Sequence, residues 1–235
     1  MTIAKHLVLL PGLDGTGQLF SDFVASLPNT ISATTVNYPA KEVLSYSDLR
    51  PFVSAAVPEC KSFVLLAESF SSPLALGFTA SKPPNLAALI ICAGFVSRPL
   101  GGWSRLAKAL AWPWLFKVNT PRSILEYFAL GQNAPPELIQ NFRRVLRSVS
   151  PGVLSGRARD AMDSDARGAL AQTTVPLLYV EGTEDHLLAE SCLREMKRIK
   201  PDMLIAQVAG PHLLLQREPQ KVADLVSAFI RELGI

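Results

Sequence analysis

The sequence predicts an α/β protein: a mostly parallel, doubly wound sheet of about six strands, interrupted by one helical insertion. Three observations carry this. Short apolar runs recur at 6–10, 31–38, 62–68, 86–94, 176–182 and 203–210, each bounded by turn residues. Runs so short and so continuously apolar fit strands covered on both faces, as in a parallel sheet. Amphipathic stretches at 18–27, 71–80, 190–200 and 219–233 separate several of them and are long enough for crossover helices. No strand-like run occurs between 97 and 171, where helix patterns, prolines and all three tryptophans gather instead.

Each element has its own signal. The first run, HLVLL, leads into a glycine-rich loop, LPGLDGTG, at 10–17. The third, SFVLLAE, ends at Ser69, where a helix pattern begins at once. The fourth, LAALIICAG, places Cys92 in an apolar core strand. Within the insertion, 137–149 sets Leu138, Phe142, Val145, Leu146 and Val149 on one helical face and Arg143, Arg144 and Arg147 toward solvent on the other. The fifth run, PLLYVEG, opens into a loop carrying Glu184, Asp185 and His186, and the sixth ends in Gly210-Pro211-His212. In the last helix Val222, Leu225, Val226 and Phe229 recur at helical spacing. The chain thus divides into a core domain, 1–96 and 172–235, and a helical lid, 97–171.

Composition narrows the function classes. Of 235 residues, 49% are hydrophobic and 18% charged, and mean hydropathy is +0.24, which excludes a disordered or collagenous chain. A net charge of +3, with no aromatic–basic pattern, does not argue for nucleic acid. Cys60, Cys92 and Cys192 are odd in number and far apart, so a reducing compartment, the cytoplasm, is expected rather than a disulfide framework. The run at 106–116 is broken by Lys108 and Pro113 and is about half the ~20 residues a membrane span needs, so no integral membrane association is expected. One Lys before a four-residue apolar run is too little for a secretory leader.

The chemistry lies at the strand ends. A serine hydroxyl becomes a nucleophile when it is presented sharply and a base takes its proton. A strand–turn–helix elbow presents it, and crowding there requires small residues two positions before and after; here they are Ala67 and Ser71 rather than glycines. The competing reading of Ser69 is a helix N-cap. Asp185 stands where a carboxylate could orient an imidazole. Of the three histidines, His6 precedes the first strand, His186 abuts Asp185, and His212 is free in a loop at the same sheet edge. Ser69, Asp185 and His212 follow one another in a known triad order, all at carboxyl ends of strands. Developing oxyanion charge needs two N–H donors, for which Leu13 and Phe70 are the candidates. Gly12, Gly15 and Gly17 are spaced G-x-x-G-x-G, which does not fit a dinucleotide loop.

On these motifs, LPGLDGTG, AESFS, EGTED and GPH, the sequence resembles the α/β-hydrolase fold superfamily over nearly its whole length. Within it the layout is similar to small bacterial carboxylesterases of the pimeloyl-ester type, and the opening loop resembles plant phytyl ester synthase-like acyltransferases. Pro11 replaces the family's usual His, and only residues 1–5 precede the first core strand, so the family's first antiparallel strands are expected to be absent. The resemblance implies a serine hydrolase acting on a small-molecule carboxylic ester, with no metal or cofactor. The alternatives are an acyltransferase with the same triad and a non-catalytic ligand-binding protein of this fold.

The insertion holds eleven Lys/Arg against five Asp/Glu, a charge of +6 where the remainder carries −3. It is expected to fold over the strand ends and wall an apolar pocket for short to medium acyl chains with Trp112, Trp114 and Phe142, with no oil–water interface required. The alternative is an insertion that only packs.

Overall fold

The computed structural model describes residues 5–234. The expectations of no secretory leader and no preceding strands rest on the residues before these, which lie outside the described ones.

The strands are β1 (Lys5–Leu10), β2 (Ile31–Thr35), β3 (Phe63–Glu68), β4 (Leu86–Cys92), β5 (Leu177–Gly182) and β6 (Leu204–Val208). They form a single six-stranded sheet in the order β2-β1-β3-β4-β5-β6, with every neighbouring pair parallel. Strand side chains alternate between two cores. Val8, Leu65 and Ile91 face one side, against Leu49 and Val53 of α2 (Tyr46–Ala56), Leu74 and Phe78 of α3 (Ser72–Ala80) and Met196 of a later helix. Leu7, Leu66 and Ile90 face the other, against Phe23 of α1 (Ser21–Ser26) and the C-terminal helix. Helices on both faces explain why the central strands read as continuous apolar runs.

The α2 helix had no counterpart in the apolar periodicity because Pro51 interrupts it. Its start is nonetheless written in the sequence. Ser45 accepts from the Asp48 N–H, and the Asp48 carboxylate accepts from the Ser45 N–H in return, a reciprocal cap.

Between β4 and β5 the described residues form helices and turns, plus one bridge between Ser97 and Asp165. The helices are α4 (Ser104–Leu110), α5 (Arg122–Leu125), α6 (Pro136–Ser148), α7 (Pro151–Asp163) and α8 (Arg167–Ala171), with 3₁₀ turns at Gly101–Trp103 and Pro113–Lys117 and a π turn at Glu126–Leu130. The α6 arginines are not simply a solvated face. Arg143 is half-buried and donates to the Thr120 carbonyl at 2.9 Å, Arg147 to Asn119 at 2.6 Å, and Arg144 to Gln18 at 3.2 Å. They tie α6 to the chain around it. After β5 come α9 (Ser191–Ile199), α10 (Leu214–Arg217) and α11 (Pro219–Glu232).

The edge strand β6 departs from the expected burial on both faces. Leu204 and Ile205 are exposed at the sheet margin, while Val208 at the end of the same strand is buried. Leu65→Ala in the centre should therefore cost about 2–5 kcal/mol of stability, and Leu204→Ala less than about 0.5 kcal/mol, both read from urea unfolding. Equal losses at the two positions would contradict this burial pattern.

Candidate active site

The site begins where β3 ends. Every β3 residue is buried, and the strand pairs with β1 on one side and β4 on the other. At Ser69 the backbone turns to φ +47°, a left-handed conformation that costs a residue bearing a Cβ. A 3₁₀ turn, Ser69–Ser71, then runs into α3. The two positions where the sequence lacks glycine explain themselves. Ala67 is fully buried between Leu10 and Ile91. Ser71 uses its hydroxyl, donating to the Pro11 carbonyl at 2.5 Å and lying 2.8 Å from the Tyr38 hydroxyl. Tyr46 donates to the Phe70 carbonyl at 2.8 Å and stacks on its ring. A glycine at 71 would leave Pro11 and Tyr38 without this partner.

His212 is buried, with Nε2 2.8 Å from Ser69 Oγ and Nδ1 2.7 Å from Asp185 Oδ2. A proton on Nδ1 is donated to Asp185 and leaves the Nε2 lone pair facing the serine hydroxyl. The other Asp185 oxygen accepts from the N–H groups of Leu187 and Leu188, at 2.8 and 3.0 Å. Burial pushes the Asp185 carboxyl up, but the hydrogen bond and charge of His212, with those two N–H groups, outweigh it and hold its pKa below the usual range. The loops meet closely: a Cβ on Gly182 would lie 2.5 Å from the Pro211 carbonyl oxygen. The other histidines go elsewhere. His186 stacks on Tyr127, and His6 bonds Ser32 at the far end of the sheet.

The loop after β1 is shaped by one arginine that sequence reasoning missed. Arg157 of α7 is buried and donates to the carbonyls of Leu13 (3.1 Å), Asp14 (2.5 Å) and Pro39 (3.0 Å). Gly15 has φ +70°, and a Cβ there would sit 2.2 Å from the guanidinium. Asp14 closes the turn by accepting from the Thr16 N–H and hydroxyl. With these carbonyls turned toward Arg157, the Leu13 N–H has no acceptor among the described residues. The Phe70 N–H opens the helical run after Ser69, where N–H groups lack helical partners. Nothing in the sequence separates Arg157 from Arg159, two residues on.

A cavity of about 140 Å³ lies over Ser69 and His212, walled by Leu13, Phe116, Phe142 and Leu213. Phe142 is in the wall, but Trp112 and Trp114 are not. Both are exposed, and Trp112 lies under the Arg159 guanidinium instead. Within the 3₁₀ turn it is Phe116 that faces inward. A larger hollow of about 550 Å³ opens beyond Asp185, beside Glu181 and Arg194, but neither Ser69 nor His212 lines it. No group of three or more His, Cys, Asp or Glu is placed to hold a metal ion among the described residues, and no helix there is long and apolar enough to cross a membrane.

Solved structures superpose on nearly the whole chain. MenH from S. aureus covers 98% of it and is covered over 95% of its own length, at TM-score 0.81 and 15% identity. The esterase EaEST from Exiguobacterium antarcticum gives 98%, 93%, 0.81 and 17%. The enol-lactonase from Burkholderia xenovorans gives 97%, 92%, 0.79 and 13%. The chain has the α/β-hydrolase fold. No protein-family model matches it. Among curated proteins, a polyketide synthase, ThaQ, from Burkholderia thailandensis is 24% identical over 97% of this chain. The chain spans 12% of that relative's length.

One group of this hydrolase fold stands out electrostatically. Glu68, the residue before Ser69, is fully buried, which pushes its pKa up to about 8; the charge of Asp14 adds to this, while Gln216 and the Gly12 N–H pull the other way. Gln216 donates to Glu68 Oε2 at 3.3 Å, yet Glu68 Oε1 and Gln216 Oε1 have no partner. A proton on Glu68 supplies the donor this pair lacks. The unfolded carboxyl titrates near 4.5 and the folded one near 8, so between those values the folded state holds more protons and stability falls as pH rises. Glu68→Gln removes the titration. Relative to that variant, the wild type should lose stability progressively from pH 4.5 to 8, read as urea midpoints at a series of pH values. A constant difference across that range contradicts a neutral Glu68.

Proposed function

We propose that this chain is a serine hydrolase that cleaves carboxylic esters through an acyl-enzyme. The observation that carries the reading is the continuous hydrogen-bonded chain from Ser69 Oγ through His212 to Asp185. In this reading His212 Nε2 takes the Ser69 proton as Oγ attacks the ester carbonyl carbon. Asp185 holds the ring and stabilises the imidazolium that forms. The N–H groups of Leu13 and Phe70 receive the oxyanion. Collapse breaks the ester C–O bond, and the alcohol leaves with the proton from His212. Water then gives a proton to His212, attacks the acyl carbon and releases the acid, and the proton returns to Ser69. The esterase and enol-lactonase among the structural neighbours support ester substrates for this site.

The apolar cavity makes the acyl side the specificity element, and the segment 97–171, which supplies Phe116 and Phe142, is proposed as its lid. A second reading is favoured by one observation, the likeness to part of a polyketide synthase. With the same three side chains, an alcohol or thiol takes the acyl group in place of water.

Ser69→Ala and His212→Ala should each lower kcat on an activated ester by at least about three orders of magnitude with circular dichroism unchanged, because the members act as one unit. Asp185→Asn should be severe as well. Turnover by Ser69→Ala close to wild type overturns the assignment.

The loop donor is tested through the backbone. Leu13→Ala should keep appreciable activity, and Leu13→Pro should lose about two to three decades in kcat by removing a donor. A fully active, folded Leu13→Pro excludes Leu13 as a donor.

On p-nitrophenyl esters, kcat/KM should rise about fourfold per added CH₂ until the cavity is full. Phe142→Ala should lengthen the preferred acyl chain, and Trp114→Ala should leave it unchanged. A flat series, or the reverse response of the two variants, contradicts this pocket.

A further inference from the structure

The tryptophans left outside the cavity define a surface of their own. Trp103, Trp112 and Trp114 are 73%, 55% and 61% exposed, and Leu106, Leu110 and Val118 lie beside them in the chain, each more than half exposed. Isolated exposed apolar residues are ordinary, but so many large ones within sixteen positions, 103–118, are not. Basic residues are threaded through the same stretch. From 97 to 125 the chain has Arg98, Arg105, Lys108, Lys117 and Arg122 and no Asp or Glu at all. Lys108 is paired with Asp163, whereas Arg105 and Lys117 are exposed and pair with no carboxylate among the described residues.

We propose that this face, α4 and the following 3₁₀ turn with its tryptophans and unpaired cations, docks on an anionic lipid surface. The chemistry fits that partner on both counts. Indole rings, apolar in body with one N–H donor, favour the boundary between headgroups and acyl chains. Cations spaced among them meet the negative surface potential, and their long stems let the charge stay in water while the apolar residues sink. The elements are short, so the face lies on the membrane and does not span it.

The surface is continuous with the site. On the 3₁₀ turn Pro113–Lys117, Trp114 and Leu115 are exposed while Phe116 lines the cavity over Ser69. Docking therefore sets the cavity wall against the lipid. Resting on the hydrolase reading, this points to an ester that partitions into the bilayer, in place of the interface-independent substrate expected from the sequence.

The chain contains three tryptophans, all exposed and all between 103 and 114, so tryptophan emission, excited selectively over the tyrosines, reports on this segment. With vesicles of phosphatidylcholine containing phosphatidylglycerol, the wild-type emission should shift to the blue and be quenched by brominated acyl chains. The effect should weaken at high salt and be much smaller on phosphatidylcholine alone. Arg105→Glu with Lys117→Glu, both at exposed positions, should lower vesicle partitioning at least about tenfold while the activity on a water-soluble ester stays the same. Ser69→Ala should bind vesicles as the wild type does, so the docking result stands apart from the catalytic one. Emission unmoved by anionic vesicles, with no co-sedimentation, overturns the proposal. So does a blue shift that follows protein concentration without lipid, with a doubled mass in sedimentation velocity, which makes the face a self-association surface.

Discussion

At Ser69 the backbone sits in a left-handed conformation that the residue would not choose for itself. Such conformations persist only where the surroundings over-determine them. Here β3 enters the turn paired on both sides, Ser71 is fastened to Pro11, and Tyr46 clamps the Phe70 carbonyl. The turn cannot relax without breaking contacts to the sheet and to the loop after β1. What the constraint provides is direction: Ser69 Oγ lies within hydrogen-bond reach of His212 Nε2 at the end of β3. The proposed chemistry depends on this more than on any single contact of the serine itself.

The second support comes from outside the sheet. Arg157 reaches from α7 to three carbonyls around the loop that carries Leu13. A buried guanidinium satisfied by backbone oxygens fixes a loop more firmly than a surface ion pair does. It also makes the insertion part of the site's architecture, since the segment that walls the cavity orients the backbone beneath it. Glu68 adds a quieter link, joining the residue before Ser69 to Gln216, which follows His212 on α10. With its pKa raised by burial, it avoids setting a second negative charge near Asp14.

The sheet was legible in the sequence because buried parallel strands leave long apolar runs and because the turn residues bounding them are unambiguous. All six strands follow those runs, and Ser69, Asp185 and His212 could be singled out because each stands at a strand end. What was not legible has physical reasons. The cap of α2 was written in Ser45 and Asp48, but Pro51 hid the helix. The exposed edge of β6 looks like a core strand, since an apolar run does not say whether a helix will cover it. Trp114 and Phe116 sit two residues apart on a 3₁₀ turn, and apolarity alone does not tell which faces the cavity. Arg157 gives no signal at all, because burying an arginine is a tertiary event decided by carbonyls more than a hundred residues away.

In the proposed reaction Ser69 is the nucleophile because His212 can take its proton. This is tested most directly by reacting the protein with a fluorophosphonate and mapping the adduct by mass spectrometry. One adduct per chain is expected, on the peptide carrying Ser69, formed rapidly in the wild type and abolished in His212→Ala. An unlabelled protein, or a stoichiometric adduct on any other residue, would contradict it.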